Sequence, residues 1–272
     1  MTQPAQQKLN VAILQMDIAI GEPETNFRKL ESMLEEAAAA PVKPDLIIAP
    51  EMWNTGYALD RIQELADPQG ERTKSLLSEF SRKHGINVIA GSIAEKRGGD
   101  VYNTIYAFDR EGNVTNDYSK IHLFRLMDEE KHLAAGDRIG TLQVDGVPAA
   151  MMICYDIRFP ELSRTLALGG AKVLFVPAEW PHPRLHHWKT LLTARAIENQ
   201  MFVVACNRVG RSGEAHFFGH SLVLNPWGET LAEGDEEERI LHATLDLSEV
   251  DRVRKTIPIF EDRRPGLYRT GF

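Results

Sequence analysis

Short apolar runs alternate along the chain with longer stretches whose apolar residues recur every three or four positions. Val11-Ala-Ile-Leu14 and Leu46-Ile-Ile-Ala49 have the length and continuity of strands buried on both faces. Between them, Phe27, Leu30, Met33, Leu34 and Ala37 fall at helical spacing, which predicts a helix over residues 23–40 capped by Thr25 or Asn26. A second helical pattern, marked by Leu76, Leu77 and Phe80, closes at His84-Gly85, where glycine suits a left-handed C-cap. Residues 86–94 return to strand. Thr104-Ile-Tyr-Ala-Phe108 alternates, turns at Asp109-Arg-Glu-Gly112 and runs on toward Lys120. Thr141-Leu-Gln-Val144 turns at Asp145-Gly146, a strong hairpin signal, into Ala149-Ala-Met-Met-Ile153.

The second half repeats this order. A strand ending at Cys154 is followed by a helix over 160–168, a strand at 173–176, a helix over 187–199 and a strand at 201–205. His220-Ser-Leu-Val-Leu224 then turns at Asn225-Pro-Trp-Gly228. Two β-α-β-α-β-β halves with interleaved strands predict one α/β domain spanning 1–272, with a core from about 9 to 270, built as an α-β-β-α sandwich. The acidic stretch Gly234-Asp-Glu-Glu-Glu238 reads as a surface turn.

Composition narrows the function classes. With 31 Lys+Arg against 39 Asp+Glu, the net charge of −8 leaves no broad cationic surface for nucleic acid. Two cysteines, Cys154 and Cys206, build neither a disulfide framework nor a Cys-rich zinc site and suit a reducing, cytoplasmic setting. The N-terminal residues lack the apolar run of a signal peptide, and no segment has the length of a membrane span. Gly98-Gly99 and Gly169-Gly170 read as a turn and a helix end, so no phosphate cradle and no cofactor are implied.

In α/β sheets, reactive groups collect at the carboxyl ends of strands. Glu51 and Cys154 each follow a buried run directly. A lone cysteine is ordinarily a core packer, which fits Cys206 in Val203-Val-Ala-Cys-Asn. Cys154 is followed instead by polar Tyr155, Asp156 and Arg158, and a thiolate at a strand-to-helix turn gains from the N–H groups there. Glu51 is either a solvated strand-end carboxylate or, among Pro50, Met52, Trp53 and Tyr57, a base raised by desolvation. Lys120, taken alone, reads as a surface lysine.

Taken together, Glu51, Lys120 and Cys154 supply a base, a cation and a nucleophile without histidine. The segments Leu46-Ile-Ile-Ala-Pro-Glu51, Tyr118-Ser-Lys120-Ile-His-Leu and Met152-Ile-Cys154-Tyr-Asp-Ile-Arg-Phe-Pro-Glu161 resemble the Glu-Lys-Cys signature of the nitrilase superfamily, the carbon–nitrogen hydrolases. The resemblance runs over essentially the whole chain. It implies the α-β-β-α sandwich, packed as a homodimer or larger homo-oligomer. It also implies that Glu51 is the general base, that Lys120 holds the oxyanion with the N–H after Cys154, and that Cys154 forms a thioester. A second active-site glutamate is implied at Glu129 by spacing, with Glu130 as the alternative and a solvated loop charge as the ordinary reading.

The segments Val176-Pro-Ala-Glu-Trp180-Pro-His-Pro-Arg-Leu-His-His-Trp188, Pro50-Glu51-Met-Trp-Asn-Thr-Gly-Tyr57 and Ile257-Pro-Ile-Phe-Glu-Asp-Arg-Arg-Pro-Gly-Leu-Tyr268 resemble the ω-amidase branch. That branch implies 2-oxoglutaramate and 2-oxosuccinamate as substrates. A small anionic amide needs a local cation, and Arg158 is the first choice, with Tyr155 and Trp180 beside it. Arg158 reads equally as an ion-pair partner of Asp156 or Glu161, and Trp180 as loop packing. Competing readings are amidases of deaminated glutathione or N-carbamoyl amino acids, a nitrilase and a non-catalytic scaffold. A metal hydrolase is disfavoured: His182 and His186 lie four apart beside His187, but Pro181 and Pro183 interrupt a regular helix and no acid stands at ligand spacing.

Overall fold

A computed structural model describes residues 8–268. The N-terminal residues read above for a leader, and residues 269–270 of the expected core, lie outside it. The chain folds into two sheets packed face to face with helices on both outer sides, the expected α-β-β-α sandwich.

In the first sheet, Lys8–Gln15, Leu46–Ile48 and Asn87–Ile89 run parallel, and Asp100–Phe108 pairs antiparallel with the last. The second sheet repeats the scheme with Val147–Met151, Val173–Ala178 and Phe202–Asn207 parallel and Leu222–Leu224 antiparallel. The repeat expected from sequence is therefore present. Short βαβ crossovers keep the consecutive parallel strands of each half adjacent, and one strand of the second half, Arg239–Asp246, crosses over to the first sheet.

Alternation within a strand decides which layer each side chain enters. Val11 and Ile13 face the second sheet, in a core shared with Phe175, Phe202 and Val204. Ala12 and Leu14 point the other way, against Phe27, Leu30 and Leu34 of the helix Pro23–Ala38 and Leu77 and Phe80 of the helix Glu71–His84. On the far side, Leu162 and Leu166 of Pro160–Leu168 and Trp188, Leu192 and Ala196 of Leu185–Asn199 cover the second sheet.

Several local expectations change. Neither Thr25 nor Asn26 caps the first helix. Pro23 opens it, which needs no N–H. Asn26 lies within it, buried, and bonds both the N–H and the carbonyl of Ala19. The strand expected over 86–94 divides into Asn87–Ile89 and Ile93–Arg97, broken by Gly91 at φ 63°. Elements that escaped the pattern include the helix Ser248–Thr256, the strand Thr230–Glu233, the hairpin Val209–Ser212/Ala215–Phe218, and the strand Arg239–Asp246, which pairs antiparallel with Lys8–Gln15 over all eight residues. Exposed polar residues mask strand periodicity in the hairpin and in Arg239–Asp246. Among the described residues, no helix is long and apolar enough to cross a membrane.

Candidate active site

Parallel strands end in the same direction, so the residues that follow them gather at one edge. Glu51 follows Leu46–Ile48, Cys154 follows Val147–Met151, Glu179 follows Val173–Ala178, and Lys120 follows Val114–Ser119. Glu51, Lys120, Glu129 and Glu179 are almost wholly buried, and Cys154 is 6% exposed. Lys120 is thus not the surface lysine its local sequence suggests.

Glu51 is saturated with donors. Its Oε1 accepts from Lys120 Nζ (2.9 Å), Asn103 Nδ2 (2.9 Å) and Tyr57 Oη (2.9 Å), and its Oε2 from the Glu179 N–H (2.7 Å). Burial alone would raise this carboxyl, but the Lys120 charge and these bonds hold it below its ordinary value. Lys120 Nζ also donates to Glu129 Oε1 at 2.7 Å, and Tyr57 Oη reaches the same oxygen at 2.6 Å. Burial and the neighbouring Glu51 charge leave Glu129 raised despite Lys120. Two carboxylates thus compete for one ammonium: Glu51 is the more readily ionised, and Lys120 is held firmly protonated. Glu129, which also accepts from the Phe124 N–H, is the acid in the cluster, whereas Glu130 is exposed.

Cys154 sits at φ 44°, a conformation rare for a residue with a Cβ, at the start of the 3₁₀ turn Cys154–Arg158. Burial raises its thiol first, the Glu51 charge raises it further, and Lys120 only partly opposes them. The resting group is a protonated thiol facing an ionised carboxylate. Asp156 fixes this turn. It accepts from the Ile153 N–H (2.9 Å), from Tyr118 Oη (2.7 Å) and from the His122 N–H (3.2 Å), and its Oδ1 lies 2.7 Å from His122 Nδ1. Tyr118 and His122 flank Lys120, so one buried carboxylate sets the nucleophile relative to the cation.

Above the cluster lies a narrow pocket with Cys154 at its base and Tyr57, Phe124, Tyr155 and Trp180 in its walls. Arg158 and Arg184 line it as well. Arg158 pairs with neither Asp156 nor Glu161. Its guanidinium stacks over Trp180, 4.7 Å from the ring centroid, and its Nη2 lies 3.4 Å from His187 Nδ1. Arg184 sits over Phe124. Among the described residues, neither arginine has a carboxylate partner. Trp180 is pinned by its N–H to Asn207 Oδ1 and by its indole N–H to the Arg184 carbonyl, so it is a rigid wall. Cys206, by contrast, lies buried in the core with its thiol on the Leu14 carbonyl.

Sequence reasoning passed over Glu179, Asn103, Arg184 and Arg208. Glu179 carried the same signal as Glu51 and Cys154, a polar residue directly after a buried run. Its side chain pairs with buried Arg208 at 3.1 Å, which continues to Asp17 at 3.0 Å. Burial pushes the Glu179 carboxyl up to about 8 against the pull of Arg208, and its Oε1 has no partner.

A buried thiol, carboxylate and ammonium below a small polar-mouthed pocket define a hydrolase of the acyl-transfer class. The chain belongs to the carbon-nitrogen hydrolase family, whose model matches residues 10–255, and it is an amide-hydrolysing enzyme. It is 48% identical over 261 residues to the 2-oxoglutaramate amidase of Bacillus subtilis, covering 96% of this chain and 100% of that protein. It is 34% identical over 271 residues to human omega-amidase NIT2, covering 95% and 96% respectively. Among solved structures, Nit3 of Saccharomyces cerevisiae, a member of branch 10 of the nitrilase superfamily, superposes with a TM-score of 0.88 at 28% identity, over 96% of this chain and 98% of that one.

Proposed function

We propose that this enzyme hydrolyses the terminal carboxamide of small 2-oxo acid amides, 2-oxoglutaramate and 2-oxosuccinamate, to the dicarboxylate and ammonia. The observation that carries the reading is the pair Arg158 and Arg184, without a carboxylate partner among the described residues, lining a pocket that reaches the Cys154 thiol. In a protein of net charge −8, two such guanidinium groups fit a substrate that brings its own carboxylate. The names of the relatives point the same way.

In the mechanism, Glu51 takes the Cys154 proton as sulfur attacks the amide carbon. Oε1 of Glu51 is occupied by three donors and Oε2 by one, which leaves Oε2 capacity for that proton. The Lys120 ammonium and the N–H after Cys154 hold the oxyanion. Glu51 returns the proton to the departing nitrogen, ammonia leaves, and a thioester remains. Water then gives a proton to Glu51 and its hydroxide to the acyl carbon, and the collapsing adduct releases the carboxylic acid while Cys154 regains its proton. Glu129 acts with Tyr57 to fix Lys120. Tyr155 and Trp180 form the walls against which the substrate chain lies. The enzyme works as a single domain in a cytoplasmic homodimer or larger homo-oligomer. The exposed apolar side chains Leu168, Ile197 and Ile257 suit such packing, and sedimentation measures it.

The test is ammonia release from 2-oxoglutaramate against N-carbamoyl-β-alanine, deaminated glutathione and a simple nitrile, with and without chelator. Fast, chelator-insensitive release from the 2-oxo amide alone is the expected result. Turnover of another amide alone overturns the substrate, and inertness toward the whole panel overturns the activity.

A further inference from the structure

Outside the pocket, three side chains from distant segments converge. His182 lies after the strand Val173–Ala178, His216 lies on the strand Ala215–Phe218, and Glu236 lies on the loop between Thr230–Glu233 and Arg239–Asp246. Their nitrogen and oxygen atoms all fall within 4.8 Å of one another. His182 Nε2 is 3.6 Å from one carboxylate oxygen of Glu236, and His216 Nε2 is 3.8 Å from the other. The two imidazole rings lie 4.6 Å apart, inclined by 32°.

A four-coordinate divalent ion with bonds of about 2.0–2.1 Å sets neighbouring ligand atoms roughly 3.3 Å apart. The observed spacings are within a small side-chain rotation of that value. The backbone beneath is already in place. The His182 N–H donates to the His216 carbonyl at 2.8 Å, and Pro181 bridges to Phe217. Gln15 Nε2 holds the carbonyls on either side of Glu236, those of Asp235 and Glu237, at 2.7 Å each. All three side chains are partly exposed, which leaves room for water to complete the coordination sphere.

From this convergence we infer that His182, His216 and Glu236 form a binding site for one divalent transition-metal ion of the zinc, nickel or copper class. Two imidazoles and one carboxylate favour these ions over magnesium or calcium, which take oxygen ligands. None of the three residues lines the pocket. They do anchor the 179–184 segment that gives the pocket Trp180, Pro181 and Arg184, so a bound ion pins one wall from outside.

The experiment is calorimetric titration of chelator-stripped protein with nickel, in a Cys154→Ala background so that the reactive thiol takes no part. One equivalent should bind at micromolar concentration. His182→Ala, His216→Ala and Glu236→Gln should each weaken binding at least tenfold. Because His182 lies between prolines, His216→Ala and Glu236→Gln decide the matter if that variant fails to fold. No binding below about 1 mM, or unchanged affinity in His216→Ala and Glu236→Gln, overturns the site. Ammonia release plays no part in this test, so its outcome and that of the amidase assay are distinguishable.

Discussion

Glu51 and Glu179, 128 positions apart, meet across the seam of the sandwich, where the Glu179 N–H donates 2.7 Å to Glu51 Oε2. Glu51 ends a strand of one sheet and Glu179 a strand of the other. The bond therefore ties the proposed base to the sheet that carries the nucleophile, and the stereochemistry of the site depends on how the two sheets dock.

Cys154→Ala should abolish ammonia release. It should leave the circular dichroism spectrum and the melting temperature close to those of the parent, because alanine keeps the buried position and loses only the sulfur. Unchanged ammonia release would remove Cys154 from the nucleophile's role.

Glu51→Gln should lower kcat by about 10²–10⁴, the usual worth of a positioned acid–base group. Glutamine still accepts from Lys120 and Tyr57 but cannot take the thiol proton. The measurement is kcat on the best amide of the panel. A fall confined to KM would assign Glu51 to binding.

Arg158→Lys and Arg184→Lys should raise KM for anionic amides, by about tenfold where a bidentate grip is lost, and leave neutral amides less affected. Lysine keeps the charge but not the planar fork. Equal losses on both substrate types would place the arginine in the framework instead.

The Glu179 carboxyl stands raised to about 8, above its ordinary 4.5. Between those values the folded protein holds a proton that the unfolded chain has released. Stability therefore falls as pH rises through this window, by up to about 1.4 kcal/mol per pH unit from this group. Denaturation by urea across pH 5–8 should show the descent, and Glu179→Gln should flatten it. An unchanged slope in the variant would assign the descent to other groups.

Gly91 turns at φ 63° against the end of the strand that carries Glu51, and a Cβ there would lie 2.0 Å from the Pro50 carbonyl oxygen. Gly91→Ala should lower both the melting temperature and kcat. Loss of stability with full kcat would show that the clash relaxes away from Glu51.

Much of this was readable from residues. Continuous apolar runs marked the parallel strands because both faces of each sheet are covered, and polar residues directly after such runs marked Glu51 and Cys154. Asp145-Gly146 marked its hairpin because that turn demands positive φ, which both residues adopt. The strand Arg239–Asp246 was hidden because its burial is partial and its partner is nearly the whole described chain away. Lys120 became distinguishable from a surface lysine only through the resemblance, since its burial arises from residues remote in sequence. Arg184 and Asn103 gave no local sign. Their contribution exists only where the pocket wall and the Glu51 cluster are assembled.

The pairing of Lys8–Gln15 with Arg239–Asp246 has a consequence for synthesis. An apolar strand made early waits with one edge bare until nearly the last of the described residues has left the ribosome. Until that late strand docks, the nascent chain offers an adhesive edge to its neighbours. Truncation before Arg239 would turn this temporary exposure into a permanent one, and its symptom would be aggregation rather than a soluble enzyme of reduced rate.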